Sequence, residues 1–131
     1  MTEPTSPSAS ALGGPAKAGH TRLSDADYQG LTAAVLAKIE ATADQWLQDD
    51  IIDIDTHRTG GLLELSFPNG SKLIVNTQPP LQEIWLAARA GGFHFRFDND
   101  LWLNTRDGSE FFSALSTQAT AQGGKNLHFV A

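Results

Sequence analysis

Leu62-Leu63-Glu64-Leu65-Ser66-Phe67-Pro68-Asn69-Gly70-Ser71-Lys72-Leu73-Ile74-Val75-Asn76 decides the fold. Leu63, Leu65 and Phe67 alternate with polar neighbours, the period of a strand with one buried face. Pro68-Asn69-Gly70 reads as a hairpin turn, because Asn-Gly accepts the positive φ values of a tight hairpin. Ser71 to Asn76 returns as the next strand.

The same period continues downstream. Pro79-Pro80 breaks the chain, and Leu81 to Ala87 reads as a further strand with Ile84 and Leu86 on one face and Glu83 and Trp85 on the other. Gly91-Gly92 precedes Phe93-His94-Phe95-Arg96-Phe97, where His94 and Arg96 read as solvent-facing. Asp98-Asn99-Asp100 turns into Leu101-Trp102-Leu103. Gly108-Ser109 opens a closing helix, with Ser109 as cap and Phe111, Phe112, Leu115 and Ala119 as its buried face; Gly123-Gly124 ends it.

Upstream the period changes to 3.6. Ser24 caps a helix, and Tyr28, Leu31, Val35, Ile39, Thr42 and Trp46 form its apolar stripe to about Trp46. Period 2 resumes from Ile51 to Thr56, with Ile52 and Ile54 inward and Asp53, Asp55 and His57 outward. Gly60-Gly61 joins this strand to Leu62. The order is helix, about six strands, helix. It implies an α+β sandwich with two terminal helices on one face of an antiparallel sheet of about six strands. Residues 1–22 are rich in Ser, Pro, Ala, Gly and Thr and are expected to be a disordered tail, leaving 23–131 as one domain.

Composition limits the chemistry. The 131 residues contain no cysteine, which excludes disulfides, thiolate metal sites and cysteine nucleophiles. No apolar run is long enough for a membrane helix or a secretory signal, so a cytoplasmic location is expected. The net charge of −6 argues against nucleic acid and acidic membranes as partners. From Asp25 to Asp55 there are eight acids and one base, Lys38, a net of −7, whereas the remainder has eight bases and seven acids.

No phosphate loop, HExxH helix or nucleophile elbow is present. The histidines at 20, 57, 94 and 128 are scattered, and no helix carries Glu-x-x-His, so catalysis is not expected. Glu40, Asp44, Asp49, Asp50, Asp53 and Asp55 are instead expected to share one ridge where the first helix meets the first strand. A solvated face would also carry carboxylates. Two details point further: compensating bases are scarce, and Asp53 and Asp55 sit in a strand despite their poor propensity. Exposed carboxylates suit hard cations or a basic protein surface, bound weakly and with salt sensitivity. On the sheet, Trp85 is expected on the open face beside Asn76 and Gln78, while Trp46 and Trp102 are expected in the core.

The acid-bearing first helix, Ile52-Asp53-Ile54-Asp55, Phe67 to Ser71, Gln78-Pro79-Pro80-Leu81-Gln82-Glu83-Ile84-Trp85-Leu86-Ala87 and Gly91 to Phe95 together resemble the frataxin family, in its bacterial branch. The resemblance spans about Ser24 to Phe129. It implies an iron-binding regulator or adaptor of iron–sulfur cluster assembly, with cysteine desulfurase and the cluster scaffold as partners and weakly held Fe2+ or Fe3+. It implies metal positions at Asp25, Glu40, Asp44, Asp53 and Asp55, to which the acid run adds Asp49 and Asp50 and the strand adds His57. It implies sheet-surface partner contacts at Asn76, Gln78, Trp85 and His94. A monomer is expected, with an iron-dependent oligomer as the alternative state. The alternative function is a ferroxidase, or an iron store or donor that also serves haem synthesis. Ala41, Gln45 and Leu47 stand where bacterial relatives usually carry acids, and Glu83 replaces a frequent glutamine.

Overall fold

The computed structural model describes residues 22–131; the tail expected over residues 1–22, His20 included, lies outside the described residues except for Arg22. Helix α1 (Asp25–Gln48) is followed by β1 (Asp55–Thr59), β2 (Leu62–Ser66), β3 (Lys72–Gln78), a 3-10 turn (Pro79–Leu81), β4 (Glu83–Ala88), β5 (Gly91–Asp98), β6 (Leu101–Asn104) and α2 (Phe111–Gly123). The strands form one antiparallel meander in chain order, and both helices pack on the same face, as expected.

Apolar alternation places the core. Leu63, Leu65, Leu73, Val75, Ile84, Leu86 and Phe95 point from the sheet into a layer closed by Tyr28, Val35, Leu36 and Ile39 of α1 and Phe111, Leu115 and Ala119 of α2. Trp46 packs on Phe129, and Trp102 lies edge-on to Tyr28, so both indoles are core. The buried face of α1 runs through Thr32, Leu36 and Ala43, and Leu31 and Thr42 flank it. Thr32 fits because its hydroxyl donates to Tyr28 O at 2.9 Å.

Several local expectations change. The first strand begins at Asp55, not Ile51, although Ile54 is buried and Asp53, Asp55 and His57 exposed as the alternation requires. The chain first completes a helix stop: Ile51 N–H donates to Trp46 O and Asp50 N–H to Leu47 O, with Asp50 at φ +59°. This is the double bond pattern of a Schellman stop, with aspartate where glycine is usual.

In the β2–β3 connection only Gly70 has positive φ. Pro68 fixes its own φ, and Gly70 N–H closes a turn on Phe67 O at 2.9 Å. Asn69 is thereby freed to accept from Ser71 with its side chain. The two-residue turn with positive φ at both positions is Asn99-Asp100 instead. The fourth strand starts at Glu83 rather than Leu81, because the Pro79–Leu81 turn ends in Gln82 at φ +52°. Glu110, not Ser109, caps α2, accepting from Phe112 and Ser113 N–H. Ser109 is engaged by Asp107 Oδ1, to which its N–H and hydroxyl both donate.

One polar core contact fixes the corner between β3 and β4. Tyr28 hydroxyl donates to Glu83 O at 2.6 Å and accepts from Gln78 N–H at 3.0 Å. Burial is the main cause that holds this phenol above its usual range.

Candidate functional site

The strand register assigns every outward side chain. Leu63 and Leu65 point inward, so their β1 partners Arg58 and Thr56 share the helix side, and Asp55, His57 and Thr59 take the outer face. Asp55 and His57 therefore stand on the opposite face of the sheet from α1. Glu40 lies beside β1 on the helix side, because Arg58 reaches across to it, with Nε 3.6 Å from Glu40 Oε1. Arg58 also donates to Ala33 O at 3.4 Å. Asp44 is one turn beyond Glu40 on the same face of α1. Asp49, Asp50 and Asp53 occupy the connection between helix and strand.

The acids thus wrap around the β1 edge rather than lining one plane: Glu40 and Asp44 on the helix layer, three aspartates at the corner, Asp55 and His57 on the outer face. Lys38 does not dilute them. Two residues from Glu40 on a helix is about 200° of rotation, and Lys38 borders a groove with Phe97, Leu101 and Trp102 at the opposite sheet edge. Two bases that arrive from elsewhere do approach. Arg58 faces Glu40, and Lys125 donates to Ile51 O at 2.7 Å. The carboxylate ion pairs formed among the described residues involve Glu40, Glu64 and Glu83, not the aspartates of this edge.

Asp25 is apart from the others. It lies 15 residues before Glu40, about 22 Å along the helix axis at 1.5 Å per residue. Its neighbours there are Tyr28, Gln29, Pro79 and Pro80. Among the described residues no three His, Asp or Glu side chains are grouped to hold one metal ion. A cation at this edge would be held by one or two carboxylates and keep most of its water. Such binding is weak and screened by salt.

The outer face of the sheet carries a different arrangement. Asn76, Trp85 and His94 are direct cross-strand partners on β3, β4 and β5, and Gln78 pairs with Glu83 in the next row. The Trp85 and His94 rings stack with centroids 4.1 Å apart and planes 6° from parallel. Glu83 sits beneath them. Its side chain is only 5% exposed, yet it projects from the outer face. Trp85 Nε1–H donates to its Oε1 at 2.7 Å and Arg96 Nε–H to its Oε2 at 2.6 Å, with His94 Nδ1 3.8 Å away. The structure therefore brings the four expected sheet residues together.

His94 and Arg96 do take the outer face, with side chains 47% and 41% exposed, but the pairing of Arg96 with the buried Glu83 carboxylate was not anticipated. A signal existed. A two-residue turn at Arg89-Ala90 sets Ala88 opposite Gly91, and the register then places Glu83 opposite Arg96.

Comparison with known proteins places the chain in a family. The profile of the frataxin-like domain matches residues 21–125. The iron-sulfur cluster assembly protein CyaY of Variovorax paradoxus is 49% identical over 109 residues, covering 83% of this chain and 99% of that protein. Frataxin from Psychromonas ingrahamii superimposes with a TM-score of 0.74 at 32% identity, covering 83% of this chain and all of that one. A trimeric frataxin from the yeast Saccharomyces cerevisiae, solved complexed with ferrous, gives a TM-score of 0.53 over 83% of this chain and 94% of its own. At 23% identity it shows the shared fold alone.

Proposed function

Because this chain belongs to the frataxin family, in its bacterial CyaY branch, we propose that it serves iron–sulfur cluster assembly as an iron-binding regulator. On this reading it docks on a cysteine desulfurase through the acidic β1 edge and offers its open sheet face to the same assembly, scaffold included. One observation carries the reading: exposed aspartates wrap the β1 edge, and the nearby bases engage Glu40 and a backbone carbonyl instead of them. A field of this kind, only partly offset by Arg58 and Lys125, attracts a basic surface and speeds its approach. Iron is the cargo. Its ligands would be Asp44, Asp49, Asp50, Asp53 and Asp55, with Glu40 shared with Arg58 and His57 adding an imidazole from the outer face. Asp25 would be a separate, single carboxylate. No helix of the described residues is long and apolar enough to cross a membrane, and the reading places the protein in the cytoplasm as a monomer.

The ferroxidase and storage alternative requires two irons fixed at one centre. Exposed carboxylates spread over two faces favour loading of hydrated ions over that chemistry.

The test is reversal of Glu40, Asp44, Asp53 and Asp55 to Lys. Binding to the desulfurase in a low-salt pull-down should disappear, while the far-ultraviolet circular dichroism spectrum stays unchanged. Retained affinity refutes the edge as the docking site. Separately, Fe(II) should broaden amide resonances between Glu40 and Asp55, and oxygen consumption should not exceed that of iron in buffer.

A further inference from the structure

The buried carboxylate of Glu83 has no work to do in the core. It projects from the face of the sheet that no helix covers, and a glutamate there would ordinarily extend into water. Instead it lies flat under Trp85 and Arg96, with both oxygens occupied. Keeping a carboxylate out of water is costly unless it is paired and fully bonded. Here the pairing is complete, and its geometric effect falls on Trp85. The indole N–H donates to Glu83 Oε1, so rotation about the side chain would break a charge-assisted bond. The stacked His94 ring blocks the other direction. A half-buried tryptophan on an open sheet, which would otherwise sample several rotamers, is held in one.

We propose that Glu83 is a positioning residue that pre-orders Trp85 for the sheet-face contact. This inference rests on the partner surface assigned under the proposed function and names what organises it. Binding through an ordered aromatic avoids the entropy cost of fixing that side chain on association. Because the indole N–H is already satisfied, the partner needs only an apolar surface against the ring. Arg96, engaged through Nε and 41% exposed at its side chain, is set beside the ring with its plane fixed by the same carboxylate.

The experiment compares Glu83→Met, Glu83→Gln and Trp85→Ala for affinity to the cysteine desulfurase. The indole N–H resonance of Trp85 is recorded for the first two. Methionine is near-isosteric and fills the buried site with apolar volume, and the Arg96 side chain, 41% exposed, turns to water once its partner is gone, so the fold is kept. Trp85→Ala should weaken binding roughly thirtyfold or more, the loss usual for a buried aromatic anchor. Glu83→Met should weaken it about tenfold, as expected for a rotamer set free, and move the indole resonance upfield. Glu83→Gln retains an acceptor for the indole and should restore most of the affinity. In the Trp85→Ala background, Glu83→Met should add no further loss, because it acts through the indole. Wild-type affinity in Glu83→Met, or losses that add in the double variant, overturns the proposal while leaving the sheet-face reading intact. Trp85→Ala without loss removes that reading and the inference with it.

Discussion

Six carboxylates around the β1 edge and the single carboxylate of Glu83 show opposite ways of carrying negative charge. The five edge aspartates are exposed and spread from α1 over the corner to the outer face; Glu40, half-buried, faces Arg58, and Asp49 accepts from Gln45. Glu83 is out of water and bonded at both oxygens. The first arrangement exerts a field at long range and tolerates rearrangement. The second has almost no external field, because Arg96 cancels it, and acts through geometry alone. One surface is suited to attracting a partner, the other to fitting it.

The difference is open to direct attack, and the largest effect belongs to the bonded side. Arg96→Ala leaves Glu83 buried without its cation. Unpairing a buried ion pair costs about 3–5 kcal/mol; partial exposure of Arg96 reduces this to about 2 kcal/mol. The urea midpoint should fall accordingly. An unchanged midpoint would mean that Glu83 is as free as the edge acids, and the contrast would fail.

At the edge the sign should reverse. Asp50 occupies the left-handed position of the helix stop, at φ +59°, where aspartate is tolerated and glycine preferred. It also stands beside Asp49 and near Asp53. Asp50→Gly should therefore stabilise the fold modestly, because relief of left-handed strain of about 1–2 kcal/mol exceeds the roughly 0.4–1 kcal/mol that glycine adds in unfolded-chain entropy; it is read as a higher melting temperature, with iron or partner binding weakened only slightly. A loss of stability would show that Asp50 makes a structural contact there.

These two surfaces were unequally legible in the sequence. The edge was visible because charge needs only counting: eight acids and one base in a continuous span survive any error in local structure. Its shape was not. The single ridge becomes a wrap around β1, since the alternation that turns Ile54 inward also turns Asp55 away from α1. Arg58 and Lys125 were missed because they are distant in sequence and arrive through β1 and the segment after α2. The Glu83 cluster depends on register, which one residue of slip would destroy, and the outward reading of His94 and Arg96 ignored their cross-strand neighbours. Strand number, order and buried face were readable from alternation alone. The caps were not, where two side chains competed: Ser109 was drawn off by Asp107, and Glu110 took its place.

The smallest effect separates ordinary surface pairing from both extremes. Glu64 lies on the outer face opposite His57 and pairs with Lys72 of β3. The hydrogen bond from Lys72, with its positive charge, holds the Glu64 carboxyl below its ordinary value of 4.5. The folded state therefore binds this proton less readily than the unfolded chain. The pairing contributes its stability above pH 4.5 and loses it as the pH falls through the lowered value. Glu64→Gln should flatten that acid limb of a stability–pH curve by lowering the plateau above pH 4.5 slightly and matching the wild type in acid; the loss is small because the pair is exposed and screened. The limb should also shrink in high salt. Arg96→Ala behaves differently: its loss at neutral pH should persist in salt, since the carboxylate it abandons is shielded from solvent and ions alike. If both variants respond equally to salt, Glu83 is solvated and its hold on Trp85 is no stronger than that of a surface pair.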